Sequence, residues 1–194
     1  KMDAFILYFK MGFYHVLDFS AYDHILFLIV LTVVFNFKQQ RKVGWLVTLF
    51  TIGHSITLGL SAFGFLNVPT KLIEFLIPVT ILITGCINIF RAKKAASGKE
   101  NINLIFALFF GLIHGLGFST YFKMLVSKGE DKIMPLLEFA LGIEVSQIII
   151  VFGILVLGAF LDFFTRVSKR DWILVTSSIV IGISLQMMLD RVFW

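Results

Sequence analysis

Hydrophobic residues run through this chain in long blocks rather than alternating with polar ones, and the breaks between blocks are short. Read against those breaks, the apolar runs predict helical spans near Ala21 to Phe37, Val43 to Phe65, Lys71 to Phe90, Asn103 to Phe122, Pro135 to Phe164 and Trp172 to Phe193. About 20 apolar residues cross a bilayer as a helix, so six such runs use nearly the whole chain. The fifth run, roughly 30 residues long, must tilt or project beyond the bilayer. Residues 1–18 are too short and too polar to cross. Within them Met2 to Leu17, rich in Phe and Tyr, is expected to lie on or dip into the membrane as an interfacial helix. The expected fold is therefore an all-α integral membrane protein, a six-transmembrane-helix bundle preceded by a short interfacial N-terminal helix, with residues 1–194 as a single membrane domain.

Composition agrees with this pattern. The chain is 58% hydrophobic and 15% charged, with a mean hydropathy of +0.94, whereas soluble domains are about half apolar and about a quarter charged. The net charge of +5 is not a nucleic-acid footprint, because the basic residues fall in short clusters between apolar runs. Lys38, Arg41 and Lys42 follow the first run, Arg91, Lys93, Lys94 and Lys99 the third, and Arg166, Lys169 and Arg170 the fifth. Positive loops stay in the cytoplasm, so these three loops are expected to be cytoplasmic and both termini non-cytoplasmic. The expected partners are membrane lipid and a metal ion. The lone Cys86 excludes an intrachain disulfide, and no cleavable signal peptide is evident in the first stretch.

Ionisable side chains inside a bilayer cost about 2.5–3.5 kcal/mol each on insertion scales, so their depth is informative. In this orientation His15 and His24 lie near the outer side. His54 lies about eleven residues, or ~16 Å, from the cytoplasmic end of the second span, with His114 at a similar level in the fourth. Glu138 and Glu144 fall in the outer half of the fifth. The inner half holds Thr84, Asn88 and Ser177 but no ionisable residue well inside the apolar zone. In Gly111-Leu-Ile-His114-Gly115, small residues four apart allow close helix approach and would bring His114 towards another span.

Imidazole together with carboxylate suits zinc, nickel, iron or copper rather than magnesium or calcium. The candidate ligands of a divalent transition metal are His15, Asp23, His24, His54, His114 and Glu144. Thr51, Ser55, Glu138 and Gln147 are candidates to orient the imidazoles. Plainer roles exist beside these. Ser20-Ala-Tyr-Asp23 fits a capping box, Glu74, Glu138 and Asp171 suit helix starts, and Asp190 can pair with Arg191 or with lipid headgroups. The phenylalanines imply bulk and packing, not a cofactor.

Gly12-Phe-Tyr-His15-Val-Leu-Asp18-Phe-Ser-Ala-Tyr-Asp23-His24-Ile-Leu-Phe-Leu resembles the N-terminal signature of the HupE/UreJ family of membrane proteins. Phe50-Thr-Ile-Gly53-His54-Ser55-Ile-Thr57-Leu58 is similar to that family's second-span motif, and Gly111-Leu-Ile-His114-Gly115-Leu-Gly117-Phe118 to its fourth. Phe139-Ala-Leu-Gly142-Ile-Glu144-Val-Ser-Gln147 resembles a later block carrying a Glu. The gap between His15 and Asp23 lacks the Pro and Gly common in the better-described nickel branch, which is the pattern of a divergent branch. The resemblance implies a bundle of about six spans in a bacterial inner membrane, a link to nickel, and functional roles at His15, Asp23, His24, His54, His114 and Glu144.

Three functions stay open on these residues. The first is a permease for a divalent, nickel-type metal, against which the apolar inner half stands. The second is a zinc-dependent intramembrane hydrolase with Glu144 as the catalytic base, although no H-E-x-x-H motif is present. The third is an accessory subunit in which the metal, nickel or zinc, is structural.

Overall fold

The computed structural model describes residues 2–18, 22–95, 102–126, 132–165 and 167–193. The described residues form eight α-helices: α1 (Met2–Leu17), α2 (Asp23–Thr32), α3 (Gln40–Ala62), α4 (Thr70–Ala95), α5 (Ile102–Gly117), α6 (Ser119–Leu125), α7 (Ile133–Phe164) and α8 (Lys169–Asp190). No strand occurs among them. A 3-10 turn, Phe37–Gln39, leads into α3.

Four helical stretches are long and apolar enough to cross a membrane, namely Phe37–Ala62, Thr70–Lys94, Ile133–Phe164 and Lys169–Asp190. A fifth arises if Leu104–Gly117 and Ser119–Leu125, bent by 52° at Phe118, are counted as one broken span. Two of the six predicted spans differ: the fourth is this bent pair, and the first is too short. Its α-helix has 10 residues, ~15 Å at 1.5 Å per residue, about half the ~30 Å hydrocarbon core. The chain turns at Val33 and Val34, and Asn36 starts the next helix through a capping box in which its backbone N–H donates to Gln39 Oε1 (3.1 Å). Leu26, Phe27, Leu28, Val30 and Leu31 are all buried. A helix hydrophobic all round is either lipid-facing or a core element, and α2 is the latter: it sits inside the bundle against α4, α7 and α8. Asn88 on α4 anchors it, donating from Nδ2 to the Val30 carbonyl (2.6 Å).

α7 runs for 32 residues and exposes Leu137, Leu141, Ile148, Ile149, Phe152, Val156, Leu157, Phe160 and Phe163. An exposed apolar stripe of this length calls for a covering, by lipid or by another protein surface. α1 does not lie apart from the spans but packs along α7. The helix ends sort into two groups. At one end, near Lys38, the Lys169 ammonium donates to the Phe35 carbonyl. At the other, Lys132 Nζ donates to the Ala62 carbonyl (2.8 Å), and the starts of α4 and α6 meet at Thr70 and Thr120. These are called the basic end and the histidine end below. At the basic end Ser168 caps α8, with Asp171 in its first turn as expected.

Candidate metal centre

Glycines bring the histidine-bearing helices into backbone contact. A Cβ on Gly53 would strike the Leu108 carbonyl, one on Gly111 the Phe50 carbonyl, and one on Gly115 the His54 carbonyl. α3 and α5 therefore touch along these three positions, the close approach predicted from the small residues at 111 and 115, and His54 and His114 end up on adjoining turns. The same device joins α1 to α7. A Cβ on Gly12 would meet the Phe139 carbonyl, and one on Gly142 the Phe9 carbonyl. This contact turns His15 inward. α2 supplies His24 from its first turn.

The rings converge. Nitrogens of His15, His24 and His54 lie within 4.8 Å of one another. Ring centroids are 4.7 Å apart for His15 and His24, 6.0 Å for His15 and His54, and 5.1 Å for His24 and His114. Phe27, Phe50, Phe118 and Phe139 wall the cluster, with Phe118 4.2 Å and Phe139 5.8 Å from the His15 ring. His54 and His114 are essentially inaccessible, at 0% and 1% exposure.

The hydrogen bonding of these imidazoles is incomplete. His15 Nε2, both nitrogens of His24, both nitrogens of His54 and His114 Nε2 are buried with no hydrogen-bond partner among the described residues. An orphaned buried polar group costs about 1–3 kcal/mol, so a concentration of them in one place needs a compensating ligand. His114 Nδ1 lies 2.9 Å from the Phe110 carbonyl. A carbonyl only accepts, so Nδ1 carries the proton and Nε2 presents its lone pair. That is the tautomer a metal-binding histidine adopts when a carbonyl holds its other nitrogen. A tetrahedral ion with bonds of ~2.0–2.1 Å needs nitrogens ~3.4 Å apart, so nitrogens that lie within 4.8 Å of one another would draw in by up to about 1.4 Å around a cation. The residues present fit a divalent transition metal.

Asp23 stands beside the cluster. Its Oδ1 accepts the His24 backbone N–H (2.9 Å) and is 3.1 Å from His24 Nδ1, close but out of line for a hydrogen bond. Oδ2 faces Arg191 Nη1 at 3.4 Å, and Nη1 also donates to the Glu74 carbonyl at 3.2 Å. Pro78 lies inside α4 and has no N–H to give the carbonyl four residues back. That carbonyl belongs to Glu74, and Arg191 satisfies it. The same guanidinium thus closes the gap left by a proline and holds the acid next to His24. Arg191 went unrecognised in the sequence, where Asp190 looked like its partner. Asp190 instead accepts from Gln186 Nε2 (2.9 Å). The spacing from Pro78 to Glu74 is the signal that an external donor is required.

The remaining sequence candidates lie apart from the three converging histidines. Glu144 Oε1 accepts from Thr48 Oγ1 (2.6 Å), and Gln147 pairs with Thr51 (3.2 Å), both between α3 and α7. No hydrogen bond links Thr51, Ser55, Glu138 or Gln147 to an imidazole among the described residues. Ser20, the first member of the expected capping box, lies outside the described residues, and Tyr22 occupies the N-cap without a side-chain bond.

A cleft lined by Met11, Tyr14, His15, Leu17, Asp18, Phe118 and Tyr121 opens from His15 to the surface. At the basic end, a cavity of about 370 Å³ between α2, α7 and α8 is lined by Thr32, Asn36, Lys38, Asp162, Lys169 and Trp172, among others. No curated protein and no solved structure matches the chain. The family model described as HupE / UreJ protein matches residues 1–191. With that match spanning the helices that carry all four clustered histidines, the chain belongs to the HupE/UreJ family.

Proposed function

We propose that this chain is a membrane permease for a divalent transition metal of the nickel type, with the metal as its cargo. The observation that carries the reading is the convergence of His15, His24 and His54 from three separate helices, with buried nitrogens that lack a hydrogen-bond partner among the described residues. His15 is half-buried at the base of the cleft and would receive the ion. His24 and His54 complete the ligand triad, and His114 offers a fourth nitrogen. Asp23 supplies negative charge that favours a cation beside His24. Membership of a family associated with nickel and cobalt handling supports the choice of cargo. The hydrolase reading is weaker: its base, Glu144, is bonded to Thr48 and is not one of the converging groups. The bacterial inner membrane, with the histidine end outward, is part of the same proposal.

The test is nickel binding and uptake by the purified full-length chain. In detergent, the wild type is expected to bind one tightly held ion per chain by equilibrium dialysis and elemental analysis, and His54→Ala to lose it. In proteoliposomes the wild type should accumulate nickel and His54→Ala should not. Retention of nickel by His54→Ala would overturn the site. A wild type that binds nickel but moves none would overturn transport and leave a structural or catalytic metal.

A further inference from the structure

The short α2 leaves a gap in the half of the bundle towards the basic end. It covers ~15 Å of depth and ends at Thr32, while α7 and α8, of 32 and 22 residues, are much longer. These two helices follow one another in the chain yet pack mainly on other partners, α7 on α1 and α3, and α8 on α4. The basic-end cavity of about 370 Å³ lies between them, at the end of α2. One side of it is apolar, formed by Val33, Leu155, Leu161 and Trp172. Gly158 on α7 adds no bulk there, and a Cβ at that position would stand 3.6 Å from the Trp172 indole nitrogen across the gap.

The other side is charged. Lys38 is exposed at the rim, and the half-buried Lys169 reaches from α8 to donate to the Phe35 carbonyl. An ammonium has three N–H donors. The carbonyl takes one, and no carboxylate is bonded to the other two among the described residues. Asp162 is the only acid lining the cavity among the described residues, so two ammoniums against one carboxylate leave positive charge in excess. The charged side therefore selects an anion, and the apolar side selects a hydrocarbon chain. An acidic phospholipid carries both, with its phosphate at the level where tryptophan and lysine gather at a membrane interface.

We propose that the cavity between α2, α7 and α8 binds one acidic phospholipid, its phosphate held by Lys38 and Lys169 and an acyl chain laid along Leu155, Gly158 and Trp172. The lipid fills the space left by the half-length α2, because interiors are close-packed, and so ties α8 to α7. The proposal does not depend on what the histidines do. The site lies at the opposite end of the bundle and stands whether the chain moves metal or only binds it.

The test uses the delipidated full chain in detergent, titrated with phosphatidylglycerol, phosphatidylethanolamine or inorganic phosphate and read by native mass spectrometry and melting temperature. Wild type is expected to retain one phosphatidylglycerol per chain, with a preference of about tenfold or more over phosphatidylethanolamine, and to melt higher with it. Inorganic phosphate should neither bind nor raise the melting temperature, because it lacks the chain that the apolar side holds. The double variant Lys38→Gln/Lys169→Gln should lose the preference between the two lipids. Lys169→Arg should keep it, and Lys93→Gln, at the same end but outside the cavity, should match the wild type. Gly158→Leu keeps both ammoniums and fills the cavity, so it should lose the lipid altogether, and it decides the matter if the double variant does not fold. Equal binding of the two lipids by the wild type, an effect of phosphate as large as that of phosphatidylglycerol, a preference that survives in the double variant, or lipid retained by Gly158→Leu would overturn the proposal.

Discussion

Arg191 shows how one side chain can serve packing and chemistry together. The proline at 78 frees the Glu74 carbonyl, Arg191 fills it, and the remaining reach of the guanidinium holds Asp23 against the start of α2. Removing the guanidinium while keeping a polar side chain, as in Arg191→Gln, should leave the fold intact and weaken nickel binding about tenfold, the lower range for groups that orient a metal ligand's surroundings. Isothermal titration of purified protein checks this; unchanged affinity would separate Asp23 from the site. The imidazoles themselves were legible as chemistry from the sequence, because intramembrane histidines are costly and their depths follow from helical rise. Which of their nitrogens stay unpaired was not legible, because that depends on Phe110 and the phenylalanine wall.

At the level of the helices, the glycine contacts set where the histidines stand. Gly53 lies against Leu108 and Leu112 backbone atoms, which cannot rotate away as a flexible side chain would. Gly53→Leu must therefore push α3 from α5 and separate His54 from His114. We expect a loss of about 3 kcal/mol or more, at or beyond the usual overpacking range, read as a large fall in melting temperature in detergent together with lost nickel binding. A Cβ on Gly153 of α7, by contrast, would meet no atom within 4 Å, so Gly153→Ala should stabilise the helix by up to about 1 kcal/mol and leave binding unchanged. The contrast between the two tests whether contact, rather than helix propensity, explains the glycines. The short α2 marks the limit of sequence reading here. A block apolar on every side looks the same whether lipid or protein surrounds it, and only the neighbours α4, α7 and α8 distinguish the cases.

For the whole molecule, the basic clusters at one end and the cleft at the other predict an oriented bundle. With Cys86 replaced by Ser, Lys93→Cys at the basic end and Thr120→Cys at the histidine end give two single-cysteine chains. A membrane-impermeant maleimide applied to intact cells should label Thr120→Cys and not Lys93→Cys, and the reverse pattern would invert the proposed topology. The apolar inner half, which spoke against a permease in the sequence, looks different in three dimensions. Thr32 and Asn36 at the end of α2 and Asp162 on α7 share one cavity at the basic end.

Composition and periodicity were enough to establish the helical class, the apolar character of the long runs, the clustering of basic residues and the histidines as the unusual polar groups. All of these are properties of the chain read in order. Other features were settled only in three dimensions: the first apolar block is a short buried helix, and α1 docks on α7. Likewise His15, His24 and His54 meet while Glu144 turns to Thr48, and Arg191 reaches Asp23. The physical reason is common to all of them. Hydrophobicity says that a surface must be covered but not by what, and the covering is settled by backbone contacts at glycines and by polar groups that find partners far away in the chain.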